Sequence, residues 1–91
     1  MTQTKLLIGS LSSDLYRIAS LTQRGSYVAA DKFLVEAKRW SDNLSGVKLK
    51  RYIRKIIDDV QKRDDYNHSL AQAEMYLMYS ILLQNYALHL K

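Results

Sequence analysis

The side chains with which this chain could do chemistry are few, and their spacing is wrong for the usual uses. Nine carboxylates, two histidines and no cysteine are all the carboxylate, imidazole and thiol groups among 91 residues. Without thiolates, a disulfide framework and a cysteine zinc site are both excluded. A di-metal centre of the helical-bundle type draws glutamates from several helices, and Glu36 and Glu74 are the only glutamates. His68 and His89 fall at opposite ends of one predicted helix, so they cannot meet within one chain. No serine stands in the Gly-x-Ser-x-Gly setting of a nucleophile elbow. The oxygen-rich segment 64–68, Asp-Asp-Tyr-Asn-His, lacks the spacing and the glycine of a calcium loop. Its composition is that of a turn leading into a helix. The expectation is therefore no catalytic residue, no metal, no cofactor, and no enzyme.

Two patterns point instead to binding. The first is charge. The chain carries a net +5, and residues 46–63 hold seven bases against two acids. At helical spacing Lys48, Arg51, Arg54, Lys55 and Lys62 gather on the side opposite Leu49, Ile53, Ile56 and Val60. A row of cations on one helix face is a footprint for phosphates or for an acidic partner. Lys48, Lys50 and Arg51 also fall in the first predicted turn, where the helix dipole disfavours positive charge. Asp58 and Asp59 interrupt the row. They support it through the i, i+4 pairs Arg54–Asp58, Lys55–Asp59, Asp58–Lys62 and Asp59–Arg63. A solvated face that keeps the protein in solution accounts for the same residues. Nucleic acid or another polyanion is accordingly the second expectation for a partner. No helix-turn-helix signature, RNA-binding aromatic motif or zinc finger accompanies the row.

The second pattern is surplus apolar surface on the last predicted helix. Leu70, Leu77, Ile81 and Leu88 make one stripe, and Met75, Tyr79, Leu82, Tyr86 and Leu90 make another far round the helix. One stripe is enough to seat a helix on a core. The second is rich in Tyr and Met, residue types enriched at interfaces. It is the expected surface for self-association as a homodimer, or for a protein partner. A central helix wrapped by the other three would also be apolar all round.

The elements that must position these residues follow from apolar periodicity. Runs at i, i+3, i+4 predict helices over 4–22, 26–44, 47–63 and 69–91. Gly25 and Gly46 punctuate them, there is no proline, and Ser26 and Ser69 are the expected N-caps. Ser69 and Gln72 have capping-box spacing. Gly9, inside the first helix, costs about 1 kcal/mol relative to alanine or lets a neighbour approach closely. The spacing of Gly25, Tyr27, Ala30, Leu34 and Ala37 resembles the turn of a tetratricopeptide helical hairpin. Arg17 stands where that motif expects an apolar residue, and no second copy follows at the repeat period. Any tight helical hairpin uses a glycine at its turn and alanines where its helices meet.

The expected fold is thus a single all-α domain over 1–91, a four-helix up-and-down bundle with short turns. Trp40 and Phe33 read as core residues. The most apolar stretch, 75–83, is far short of the roughly 20 residues needed to span a bilayer. The lack of cysteine fits a reducing compartment, so the expected location is the cytoplasm.

Overall fold

The computed structural model describes residues 3–63 and 66–90. It contains α1 (Gln3–Gln23), α2 (Tyr27–Asn43), α3 (Arg51–Lys62) and α4 (Leu70–Leu88). No strand occurs among the described residues. No helix among them is long and apolar enough to cross a membrane. The chain is an all-α four-helix bundle, as its periodicity predicts. Asp64 and Asp65, two members of the predicted oxygen-rich turn, lie outside the described residues.

The α1–α2 turn is built by Gly25. Its φ of +79° lies in the left-handed region, which glycine enters without a Cβ penalty. The Ser26 amide donates to the Leu21 carbonyl at 2.8 Å, and the Gly25 amide to Thr22 at 3.1 Å. These two bonds are the Schellman pair. Ser26 therefore closes α1 and opens α2 at once. Its φ of −88° and ψ of 67° suit the reverse turn, and its side chain makes no cap hydrogen bond. Ser26 thus holds the expected N-cap position of α2 without the side-chain bond of a serine cap.

Helix α3 starts four residues later than its apolar spacing predicts. The Arg54 guanidinium takes the carbonyls of both Leu44, at 2.9 Å, and Val47. A helix begun at Val47 would have given that second carbonyl to the Arg51 amide. Residues 48–50 instead lie outside any helix, with Lys50 extended, while Val47 and Leu49 pack at the edge of the core. Lys48 and Lys50 thus precede the helix, and Arg51 alone of the three lies in its first turn.

Ser69 caps α4 as predicted, its Oγ accepting the Gln72 amide at 3.1 Å. The reciprocal half of the capping box is redirected. Gln72 Oε1 accepts from the Asn67 amide at 2.7 Å, and the Ser69 amide goes to Asn67 Oδ1. His68 between them has φ +61°, unusual for a residue with a Cβ. Two contacts to α2 hold it there: its ring stacks on Tyr27 with centroids 4.5 Å apart, and its Nε2 lies 2.7 Å from Asp31 Oδ1.

Helix α1 packs against α2 and α4, and α3 touches α2 and α4 across the ring from α1. That is the neighbour pattern of an up-and-down bundle. The α1–α4 contact is the most extensive. Ser12 Oγ donates to the Ser80 carbonyl at 2.7 Å, and Thr22 Oγ1 meets the Tyr66 hydroxyl at 2.7 Å. The end of α1 thus lies beside the start of α4, so the two helices are antiparallel. The core is one cluster fed by all four helices. Ile8, Leu11, Leu15 and Ile18 of α1 meet Ile53, Ile57 and Val60 of α3 and Tyr76 and Leu83 of α4. Trp40 and Phe33 sit at its margin, half-buried, rather than inside it.

Candidate docking face

Helix α4 sets the site, because it is seated on a line that neither predicted stripe contains. Its buried residues are Ala73, Tyr76, Ser80, Leu83 and Ala87, midway between the two stripes on the wheel. Three of these five are alanine or serine, small enough to let α1 approach closely. The Tyr and Met stripe turns toward α3. Tyr79 donates its hydroxyl to Asp59 Oδ2 at 3.0 Å, and Tyr86 meets Tyr52 edge-on at 6.3 Å. Met75 and Leu90 pack on the margin of the core, and Leu82, 36% exposed, is the most open of the five. Four of the five residues expected at an interface are thus half-buried within the chain.

The opposite stripe is the free one. Leu70, Ile81 and Leu88 are 65%, 52% and 65% exposed. Two residues of α1 extend this surface: Leu6, 55% exposed, and Tyr16, 57% exposed. Between the helices runs a groove of about 1100 Å³. Helix α1 lines it with Gly9, Ser10 and Ser13 and with the longer side chains of Leu6, Tyr16 and Arg17. One wall is Leu77, Ile81 and Leu88 of α4, and the other is Glu36 and Trp40 of α2. A Cβ placed on Gly9 would meet no atom within 4 Å. Nothing inside the chain therefore requires glycine there.

Asp14 fixes the far wall. It is buried on α1 and accepts from Trp40 Nε1 at 2.8 Å and from Arg17 at 3.3 Å. Burial raises its carboxyl above the ordinary aspartate value, against the lowering effect of the Trp40 bond. Glu36 adds to the rise and Arg17 opposes it. The bond to Asp14 holds the indole upright as a wall of the groove. Arg17 in turn lies over the Phe33 ring, 5.3 Å from its centroid. The sequence shows this carboxylate only as one acid among nine.

The basic row is only partly available. Lys48, Arg51, Lys55 and Lys62 are exposed and make no ion pair among the described residues. Arg54 is committed to the Leu44 and Val47 carbonyls and stands 3.9 Å from Asp58. Of the other predicted pairs on this helix, Asp59–Arg63 forms at 2.9 Å. Asp59 is shared with Tyr79, so it ties α3 to α4 and is turned away from the cations. The described residues hold no group of three carboxylate or imidazole side chains able to bind a metal.

A tyrosine cluster backs α4 on its other side. Tyr76 is fully buried, stacked between Tyr66 and Tyr79 at 5.1 and 6.0 Å. Its hydroxyl has no hydrogen-bond partner among the described residues. Burial pushes its ionisation well above the ordinary phenol value. An orphaned buried hydroxyl costs about 1–3 kcal/mol. Tyr76→Phe removes it without leaving a cavity, so stability should rise by about 1–2 kcal/mol. Urea unfolding at pH 7 reads this as a higher midpoint with an unchanged slope. A lower midpoint would mean that the hydroxyl is satisfied.

Comparison with protein-family models, with curated proteins and with solved structures finds no match. The functional reading therefore rests on the geometry of this face.

Proposed function

We propose that the chain is a non-enzymatic interaction module, acting in the cytoplasm and docking another polypeptide on its α1–α4 face. One observation carries this: Leu6, Tyr16, Ile81 and Leu88 are each more than half exposed around a single groove. Scattered surface leucines need no explanation, but a contiguous apolar patch rimmed by polar groups marks an interaction site. The short side chains between Leu6 and Tyr16 on α1, with the aliphatic and indole walls, suit the ridge of a partner helix.

Site-specific photo-cross-linking tests it. A photoreactive residue at Ile81, inside the groove, should give defined adducts with a polypeptide under native conditions. The same residue at Val35, exposed on α2 and outside the groove, should give none. No adduct from Ile81, or equal yields from both positions, removes the reading.

A further inference from the structure

We propose that the chain binds single-stranded nucleic acid at a second site, a cleft between the start of α3 and the end of α4. This cleft shares no residue with the α1–α4 groove, so it stands or falls independently of the docking reading.

The cleft has a volume of about 400 Å³. Lys50 and Tyr52 line one side, and Asn85, Tyr86, His89 and Leu90 line the other. Three of these six residues carry rings, which suits a flat occupant. Tyr52 is 47% exposed, and Tyr86 meets it edge-on at 6.3 Å. That contact sets the plane of the Tyr52 ring and leaves much of it open. An exposed ring held in place among cations is the platform on which single-stranded nucleic acids stack a base. Polar groups stand beside the ring. His89 Nδ1 lies 2.7 Å from the Asn85 carbonyl. A carbonyl only accepts, so Nδ1 donates and Nε2 of the neutral ring is left as an acceptor for a base edge.

Charge divides the cleft in two. On the α3 side Lys50, Arg51 and Lys55 are exposed and form no ion pair among the described residues. Arg51 adjoins Tyr52 in sequence, and Lys55 lies one turn beyond it at i+3. No acid stands in the first turn of α3, so nothing there neutralises cations gathered where the helix dipole disfavours them. The α4 side offers an amide, an imidazole and a hydroxyl instead. A nucleotide is divided in the same way, with an anionic phosphate at one end and a flat, polar-edged base at the other. A base reaches a ring in a cleft only when it is unpaired, so the strand is single. Lys50 is the one cation that lines the cleft. Arg51 and Lys55 stand beside it, where the phosphates of the neighbouring nucleotides would pass. Asp58, one turn beyond Lys55, ends the run. The strand therefore crosses the start of α3 and does not follow the helix.

Fluorescence anisotropy of a labelled oligothymidylate of about a dozen nucleotides, titrated with the full chain, tests the proposal. Binding should fall with salt on a log–log slope of about −2, the value for three phosphate contacts on a single strand. Tyr52→Ala should weaken binding about tenfold, and Tyr52→Phe, which keeps the ring, less than about twofold. Lys55→Gln should flatten the slope by about 0.7. Lys32→Gln removes the same charge from an exposed position on α2 and should leave the slope unchanged. Circular dichroism should be the same for all four variants, because every substituted side chain is exposed. No binding at low salt, equal affinity for a duplex of the same length, indifference to Tyr52→Ala, or equal effects of Lys55→Gln and Lys32→Gln would each overturn the proposal. Displacement of the oligonucleotide by an equal residue concentration of thymidine monophosphate or of polyglutamate would also overturn it. The first would assign the cleft to a free nucleotide, and the second to an acidic polypeptide.

Discussion

Leu83→Ala should lower stability by about 2–5 kcal/mol, whereas Ile81→Ala, two residues earlier, should cost less than about 0.5 kcal/mol. Leu83 is fully buried among the other core residues, and Ile81 is 52% exposed at the groove. Truncating the first removes transfer free energy and leaves a cavity that the neighbouring helices fill only in part. Truncating the second removes atoms already largely in water. A domain of this size has about 5–15 kcal/mol of total stability, so the Leu83 variant should be visibly close to unfolding. Urea unfolding should be measured at falling protein concentration until the midpoint is constant. Association then drops out of the difference. Comparable losses at both positions would mean that α4 is seated on its Leu70–Ile81–Leu88 stripe after all. The docking face would disappear with that result.

The contrast shows what could be read from sequence and what could not. Helix number, the Gly25 turn, the Ser69 cap and the α1 stripe Ile8, Leu11, Leu15, Ile18 are local properties. Periodicity and turn chemistry suffice to locate them. The seating of α4 is not local. Its line of contact is drawn by Ala73, Ser80 and Ala87, which add little hydropathy and are overlooked when large apolar residues are counted. Their importance lies in how closely α1 can approach, and only the packed structure contains that distance. The same holds for Asp14. Its partner Trp40 is on the next helix and 26 residues away, so no spacing rule connects them. The groove then follows from the two together, since α4 supplies one wall and the Asp14-anchored indole the other. Gly9 is a mixed case. Its cost and its alternative, a close neighbour, are legible in the sequence; that the neighbour is missing within the chain is not.

Arg54→Ala should cost about 1.5–3 kcal/mol, the range for hydrogen bonds made by a charged group. The guanidinium holds the carbonyls of Leu44 and Val47, at the end of α2 and in the chain that leads to α3. Removing it leaves both acceptors without that partner and frees residues 44–50 to extend α3 toward its N-terminus. Arg54→Lys should recover less than half of the loss. A single ammonium lacks the planar fork that spans two acceptors. Arg51→Ala and Lys55→Ala should each change stability by less than about 0.5 kcal/mol, because both point to solvent. Hydrogen exchange adds a local readout. Amides of residues 44–50 should lose protection in Arg54→Ala and keep it in the other two variants. Equal, negligible effects at all three positions would return Arg54 to the row of free cations. The distinction matters for any polyanion reading of this face. Of the five cations aligned by helical spacing, one is spent on organising the α2–α3 connection. Of the remaining four, Lys48 precedes α3, and the other three share that helix with Asp58, whose carboxylate repels the phosphates that the row would have to follow.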